Sequence, residues 1–101
     1  MNASSRSALA EIRIAAGFTS ALALAFRTRL ARGTIYNAEA GSGPLGLAGA
    51  RRIAIACHVT VETVMRAYLT RRIEYLDRER RQIRATLTRF KACARKPRRP
   101  S

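Results

Sequence analysis

A chain of 101 residues with 20 Lys and Arg against 6 Asp and Glu, a formal net charge of +14 at pH 7, can build one modest hydrophobic core but not two, and no deep catalytic cleft. So large a basic excess calls for a polyanionic partner, nucleic acid ahead of an anionic membrane surface, and does not suit an inert helical bundle. Two cysteines, Cys57 and Cys93, with no Cys-x-x-Cys pair, exclude a disulfide framework and fit a reducing, cytoplasmic setting.

The charge is unevenly placed. Residues 1–41 carry a net +3, residues 42–65 a net +1 and residues 66–101 a net +10, which predicts sequence readout from the N-terminal part and electrostatic attachment from the C-terminal part. The opening, Met1 to Gly17, has the Arg-, Ser- and Ala-rich composition of a transit peptide but runs without a break into the pattern that follows, and is read as part of the domain. The longest apolar run near the start, Ala21 to Phe26, is shorter than a signal-peptide core and far short of a membrane span, so no membrane partner is expected.

In chain order, Leu9, Ile12 and Ala16 fall at helical spacing before Gly17, which predicts a first helix over Ser7 to Ala16. Thr19 offers the N-cap of a second helix with Leu22, Ala25 and Phe26 on one face, although Thr28 stands where another apolar residue is expected. A short turn at Arg29 to Ala31 leads into a third helix, Arg32 to Ala40, closed by Gly41 and a Gly-Ser-Gly-Pro-Leu-Gly loop. The next segment has two patterns: Ile53, Ile55, Cys57, Val59 and Val61 alternate as in a strand, whereas Leu47, Ala50, Ile53, Ala54 and Cys57 follow a helix. The many alanines, and the lack of a second strand to pair with, favour the helix.

From Val61 there is no Gly or Pro until Pro97, and Leu69, Ile73, Leu76, Arg80, Ile83, Leu87 and Phe90 keep a strict four-three spacing. That is a heptad seam, expected to dimerise through Leu69, Ile73, Leu76, Ile83, Leu87 and Phe90. Glu74 with Arg78 and Asp77 with Arg81 stand four residues apart in the favourable order. Residues 91–101, with Lys91, Arg95, Lys96, Arg98 and Arg99 around two prolines, read as a disordered basic tail. The expected organisation is therefore an all-α, five-helix bundle over residues 1–70, a C-terminal helical extension over 71–90 and the tail.

A DNA-reading helix-turn-helix needs a small residue within its first helix, a tight turn, and apolar anchors on the inner face of its second. Ala25, the turn at Arg29 to Ala31, then Ile35 and Ala38 meet these needs, and the outer face offers Arg32, Gly33, Tyr36 and Asn37 to base edges and phosphates. Ser20 and Ala21 at the start of the second helix, Arg29 in the turn and Thr34 complete the candidate DNA-binding set.

Ala31 to Gly41, Ala-Arg-Gly-Thr-Ile-Tyr-Asn-Ala-Glu-Ala-Gly, resembles the Ser-x-x-Thr-Ile-x-x-x-Glu-x-Gly pattern of phage-repressor type regulators, the Cro and XRE-like family, with Ala31 in place of the serine cap. The likeness runs from Glu11 to Ala21 upstream and from Pro44 to Leu69 downstream, about residues 7–69, and Arg29 stands where the family's turn usually has glycine. It implies a double-stranded DNA-binding regulator of transcription, most simply a repressor, read here as a homodimer; enzyme activity is not implied, and no cofactor, metal or small-molecule ligand is expected.

A second copy of the pattern lies 29 residues on: Ala54, His58, Val59, Thr60, Val64 and Ala67 repeat Ala25, Arg29, Leu30, Ala31, Ile35 and Ala38. If that copy reads DNA, the contacts pass to Thr63, Arg66 and Arg71, with Glu62 nearby. His58, the one histidine, has no companions for a metal or a nucleophile and is read as a turn residue. Glu39 is read as a structural ion-pairing group, since a carboxylate repels phosphate; Tyr36 is open to groove contact or to packing. Two other functions remain: a sequence-tolerant nucleic-acid-binding or packaging protein dominated by the basic C-terminal third, and a helical module that sequesters a regulator through the seam.

Overall fold

The computed structural model describes residues 6–95. They form five α-helices and, among the described residues, no strand: α1 Ala8–Ala15, α2 Ala21–Thr28, α3 Arg32–Ala40, α4 Leu47–Cys57 and α5 Val61–Arg95. The all-α expectation holds, and the helical reading of the segment from Leu47 prevails over the strand. Each helix contributes one of the largest fully buried side chains, Leu9, Leu24, Ile35, Ile53 and Val64 in turn, so a single core joins all five.

Local signals explain most boundaries. The Ser7 hydroxyl accepts from the Ala10 N–H at 3.1 Å to start α1. The cap of α2 is Ser20, not Thr19: its hydroxyl accepts from the Ala23 N–H at 3.1 Å, a reach open only to the residue next to the first helical one. The face expected for α2 is also corrected. Ala21, Leu24, Ala25 and Thr28 are buried, while Leu22 is 52% and Phe26 86% exposed. Thr28 can sit inside because its hydroxyl donates to the Leu24 carbonyl one turn back at 2.8 Å.

Arg29 (φ 62°) and His58 (φ 59°) are the two non-glycine residues with positive φ among those described. Each ends a helix in the same way, the next residue's N–H reaching back five positions: Leu30 to the Ala25 carbonyl at 3.1 Å, Val59 to the Ala54 carbonyl at 3.0 Å. Ala25 and Ala54, Ile35 and Val64, Ala38 and Ala67 are all buried, so the repeat seen in the sequence is a repeat of structure. A left-handed side-chain-bearing residue costs roughly 1–2 kcal/mol; the bundle sustains two.

The loop after α3 is clamped by α5. Gly41 has φ +76°, and a Cβ there would lie 2.6 Å from the Arg71 carbonyl oxygen, so only glycine fits. Arg72 Nη1 donates to the Gly41 carbonyl at 2.8 Å, and the Tyr68 hydroxyl donates to the Gly43 carbonyl at 2.8 Å while accepting the Leu45 N–H at 3.1 Å.

α5 runs unbroken for 35 residues. The helix runs through residue 70 without a break, and residues 91–95 are helical rather than disordered, because neither Gly nor Pro interrupts the chain before Pro97; the rest of the expected tail, residues 96–101, lies outside the described residues. The ion pairs on α5 differ from those expected: Arg71 with Glu74 at 3.1 Å and Arg80 with Asp77 at 3.4 Å, both three residues apart, while Arg81 meets only the Asp77 carbonyl, at 3.5 Å. Exposed pairs of this kind differ by tenths of a kcal/mol, too little for sequence spacing to select among them.

One long-range ion pair stands apart. Arg13 on α1 grips Glu39 on α3 with Nε to Oε2 at 2.6 Å and Nη2 to Oε1 at 3.3 Å, and its Nη1 donates to the Phe18 carbonyl at 2.9 Å. The side chains are only 10% and 12% exposed. Glu39 is thus the ion-pairing group its chemistry suggested. Arg13→Met, which strands the buried carboxylate, is expected to destabilise the fold by about 3–5 kcal/mol, and adding Glu39→Leu to recover most of the loss. Denaturant unfolding of the two variants checks both; equal losses in each would mean the pair contributes packing and not charge compensation.

Candidate nucleic-acid interface

With Ile35 and Ala38 buried, the opposite side of α3 is a continuous exposed stripe of Arg32, Gly33, Tyr36, Asn37 and Ala40. Tyr36 is 53% exposed and therefore presents a face to solvent instead of packing inside. Thr34 is half-buried at the edge of the stripe. The N-cap position, Ala31, makes no side-chain hydrogen bond to the helix, which leaves the first amides of α3 free for a phosphate oxygen.

The structure brings together only part of the candidate set. Arg29 is exposed in its left-handed turn and lies beside Arg32, Phe26 and Leu30 along one shallow cleft. Ser20 is exposed, but its hydroxyl caps α2. Ala21 is 4% exposed and is withdrawn as a side-chain contact; at the first position of α2 its methyl group points into the core. The Asn37 carboxamide oxygen accepts from the Ser42 hydroxyl at 3.1 Å, so a contact from Asn37 uses its amide N–H groups or displaces Ser42.

Two arginines were missed. Arg27 and Arg52 line a second cleft on the other side of Arg29, with Ile55 and Ala56, and Arg52 Nη1 reaches the Thr28 carbonyl at 3.4 Å. Their signal lay in the distribution of acids and not in any motif. Between Ile12 and Val61 the only acidic residue is Glu39, which Arg13 holds inside, while Arg27, Arg29, Arg32, Arg51 and Arg52 are all exposed. The segment from Ile12 to Val61 thus presents five exposed arginines and no exposed carboxylate.

The second copy of the motif is placed differently. Thr63 and Arg66 share a groove with α1, alongside Glu11 and Ile12, and Arg66 is already paired with Glu62 at 3.1 Å. Two carboxylates thus lie close to the groups that would meet phosphate. Arg71 is separated from them: it is half-buried, pairs with Glu74 and lines a cleft with Tyr36, Glu39 and Arg6. It is a neighbour of the α3 stripe and not of Arg66.

No family model, no curated protein and no solved structure matches this chain. The interface therefore stands on its own geometry. Among the described residues no helix is long and apolar enough to cross a membrane, and no group of three His, Cys, Asp or Glu side chains is placed to hold a metal ion. His58 is an exposed turn residue. Cys57 is buried, and burial pushes its thiol above the ordinary value, with Arg13 pulling it down and Glu39 adding to the rise; in that state it is a packing group and a poor nucleophile.

The seam of α5 is open along its whole length: Leu69 and Leu76 are 47% exposed, Leu87 50%, Ile73 61%, Ile83 62% and Phe90 72%. It does not fold back onto the protein's own core.

The division between stripe and core makes a stability prediction. Arg32→Ala and Tyr36→Ala are expected to change unfolding free energy by no more than about 0.5 kcal/mol, and Ile35→Ala, one residue away, to cost about 2–5 kcal/mol. Urea unfolding measures all three; a core-sized loss at Arg32 or Tyr36 would place those side chains in the packing.

Proposed function

We propose that this chain is a sequence-specific double-stranded DNA-binding regulator of transcription, a cytoplasmic repressor acting as a homodimer, that lays α3 in the major groove. The observation that carries the reading is the exposed Arg32, Gly33, Tyr36 and Asn37 stripe on a helix whose one acid, Glu39, is held inside by Arg13. A helix of this width fits the major groove, where an Arg fork reads guanine and a carboxamide reads adenine. Arg27, Arg29 and Arg52 gather in one cleft that adjoins the stripe at Arg29, a cluster that suits contact with the phosphate backbone. Occlusion of a promoter would suffice for repression, and the chemistry asks for no cofactor.

The resemblance of Ala31 to Gly41 to the phage-repressor pattern supports the same assignment. The carboxylates beside Thr63 and Arg66 favour α3 over the start of α5 as the reading helix. A second reading, a sequence-tolerant nucleic-acid-binding protein, draws on the far end of α5, where Arg80, Arg81, Arg84, Arg89 and Lys91 follow the last acid, Glu79.

One binding experiment separates them. A duplex selected from a random library is competed with bulk DNA, for the wild-type chain and for Arg32→Ala, Tyr36→Ala, Asn37→Ala and Arg66→Ala. A regulator prefers its selected site by a factor of about 10³ or more, and each substitution that removes a base contact costs about 1–3 kcal/mol on that site with little effect on random sequence. Equal affinity for selected and bulk DNA would establish the sequence-tolerant reading; losses confined to Arg66→Ala would move the reading helix to α5.

A further inference from the structure

The distal half of α5 leaves the bundle with an apolar strip that nothing among the described residues covers. Every residue from Arg80 to Cys93 is exposed, and Ile83, Leu87 and Phe90 line one open groove with Glu79 and Thr86 along its edge. The charges beside the strip identify its occupant. With Leu69, Leu76, Ile83 and Phe90 at d positions and Ile73, Arg80 and Leu87 at a positions, the flanking g positions are Arg72, Glu79 and Thr86, and the e positions are Asp77, Arg84 and Lys91.

We propose that α5 pairs with α5 of a second copy of this chain as a parallel, in-register, two-stranded coiled coil. In a parallel pair each g residue faces the e residue five positions later on the other helix. Glu79 then meets Arg84 of the second copy, and Arg72 meets Asp77 of the second copy, each twice by symmetry. Arg72 uses one N–H on the Gly41 carbonyl and has others to give.

The antiparallel registers fare worse. The one that sets Arg80 against Leu76 aligns Glu79 with Glu79 and Asp77 with Asp77, two repulsive pairs. The one that sets Arg80 against Ile83 gains Asp77 with Arg84 but leaves Glu79 facing Thr86. Only the parallel arrangement gives every acid at a flanking position an opposite partner.

Arg80 enters the same layer from both helices. Its stem lies along the seam while the guanidinium reaches water, and one such polar a layer disfavours slipped registers and higher oligomers at some cost in stability. The parallel arrangement also sets both α3 stripes at the same end of the assembly, as two half-sites one helical turn apart require. The proposal rests on the reading of α5 as the dimer-forming element and does not depend on what α3 binds.

The test uses the full chain without DNA. In a Cys93→Ser background, where the remaining native thiol, Cys57, is buried, Leu87→Cys places the introduced thiols in one layer of the parallel coil, within disulfide reach. In the two antiparallel registers they lie 11 or 18 residues apart, roughly 16 or 27 Å at about 1.5 Å per residue. Oxidation is expected to give a covalent dimer. In sedimentation, E79R and R84E alone are each expected to weaken self-association roughly tenfold, and an equimolar mixture of the two to restore it, since every flanking pair is then opposite in sign.

A dimer that fails to cross-link, or that E79R leaves at full strength, overturns the parallel pairing while leaving a DNA-binding dimer standing. A wild-type chain that stays monomeric at every concentration overturns the pairing and the homodimer together. Cross-linking and charge-swap rescue in a chain that prefers no DNA sequence support the pairing and overturn the proposed regulator.

Discussion

The bidentate grip of Arg13 on Glu39 is the contact on which the character of the molecule turns. It ties α1 to α3 and, through Nη1, fixes the Phe18 carbonyl ahead of α2. A buried pair is weak evidence for stability, since apolar replacements of the same shape often do as well. Its consequence here is electrostatic. Glu39 is the only acid between Ile12 and Val61, and it is held inside on the same helix whose opposite side presents Arg32, Tyr36 and Asn37 to solvent.

The two left-handed turns do the rest of the positioning. Arg29 and His58 give α2 with α3, and α4 with α5, the same closure, but the copies end in different surroundings. The second helix of the first copy is short and ends at Gly41 against the Arg71 carbonyl, where no side chain fits. The second helix of the second copy continues for 35 residues, packs along α1, and projects from the bundle to give the molecule a long axis of 68 Å. One copy ends as a short exposed edge and the other as a mast, two forms drawn from a single repeat.

Much of this was legible in the residues. The helix order, the stop at Gly41, the turn at Arg29 and the seam from Leu69 to Phe90 all follow from periodicity and breaker chemistry, which are local. What escaped was decided by a neighbour. Phe26 looked like a core residue because its spacing from Leu22 is helical; the buried stripe instead runs through Thr28, whose hydroxyl is satisfied within the helix, a polar residue that a hydropathy pattern reads as exposed. Ala21 looked accessible at a helix start and is buried. Arg27 and Arg52 come from different helices and meet only in three dimensions. The helical start of the expected tail was misread because its proline, Pro97, lies two residues beyond the last turn of α5, and composition gives no boundary that fine.

The claim that α3 is the reading edge is tested most directly by amide chemical shifts of the labelled protein titrated with a duplex carrying its selected site at near-physiological salt. A DNA-facing α3 predicts that the largest changes fall on Arg29, Arg32, Gly33, Tyr36 and Asn37, with smaller ones at Ser20 and Arg52. Changes concentrated on Glu62, Thr63 and Arg66, or confined to the distal arginines Arg84 and Arg89, would contradict it.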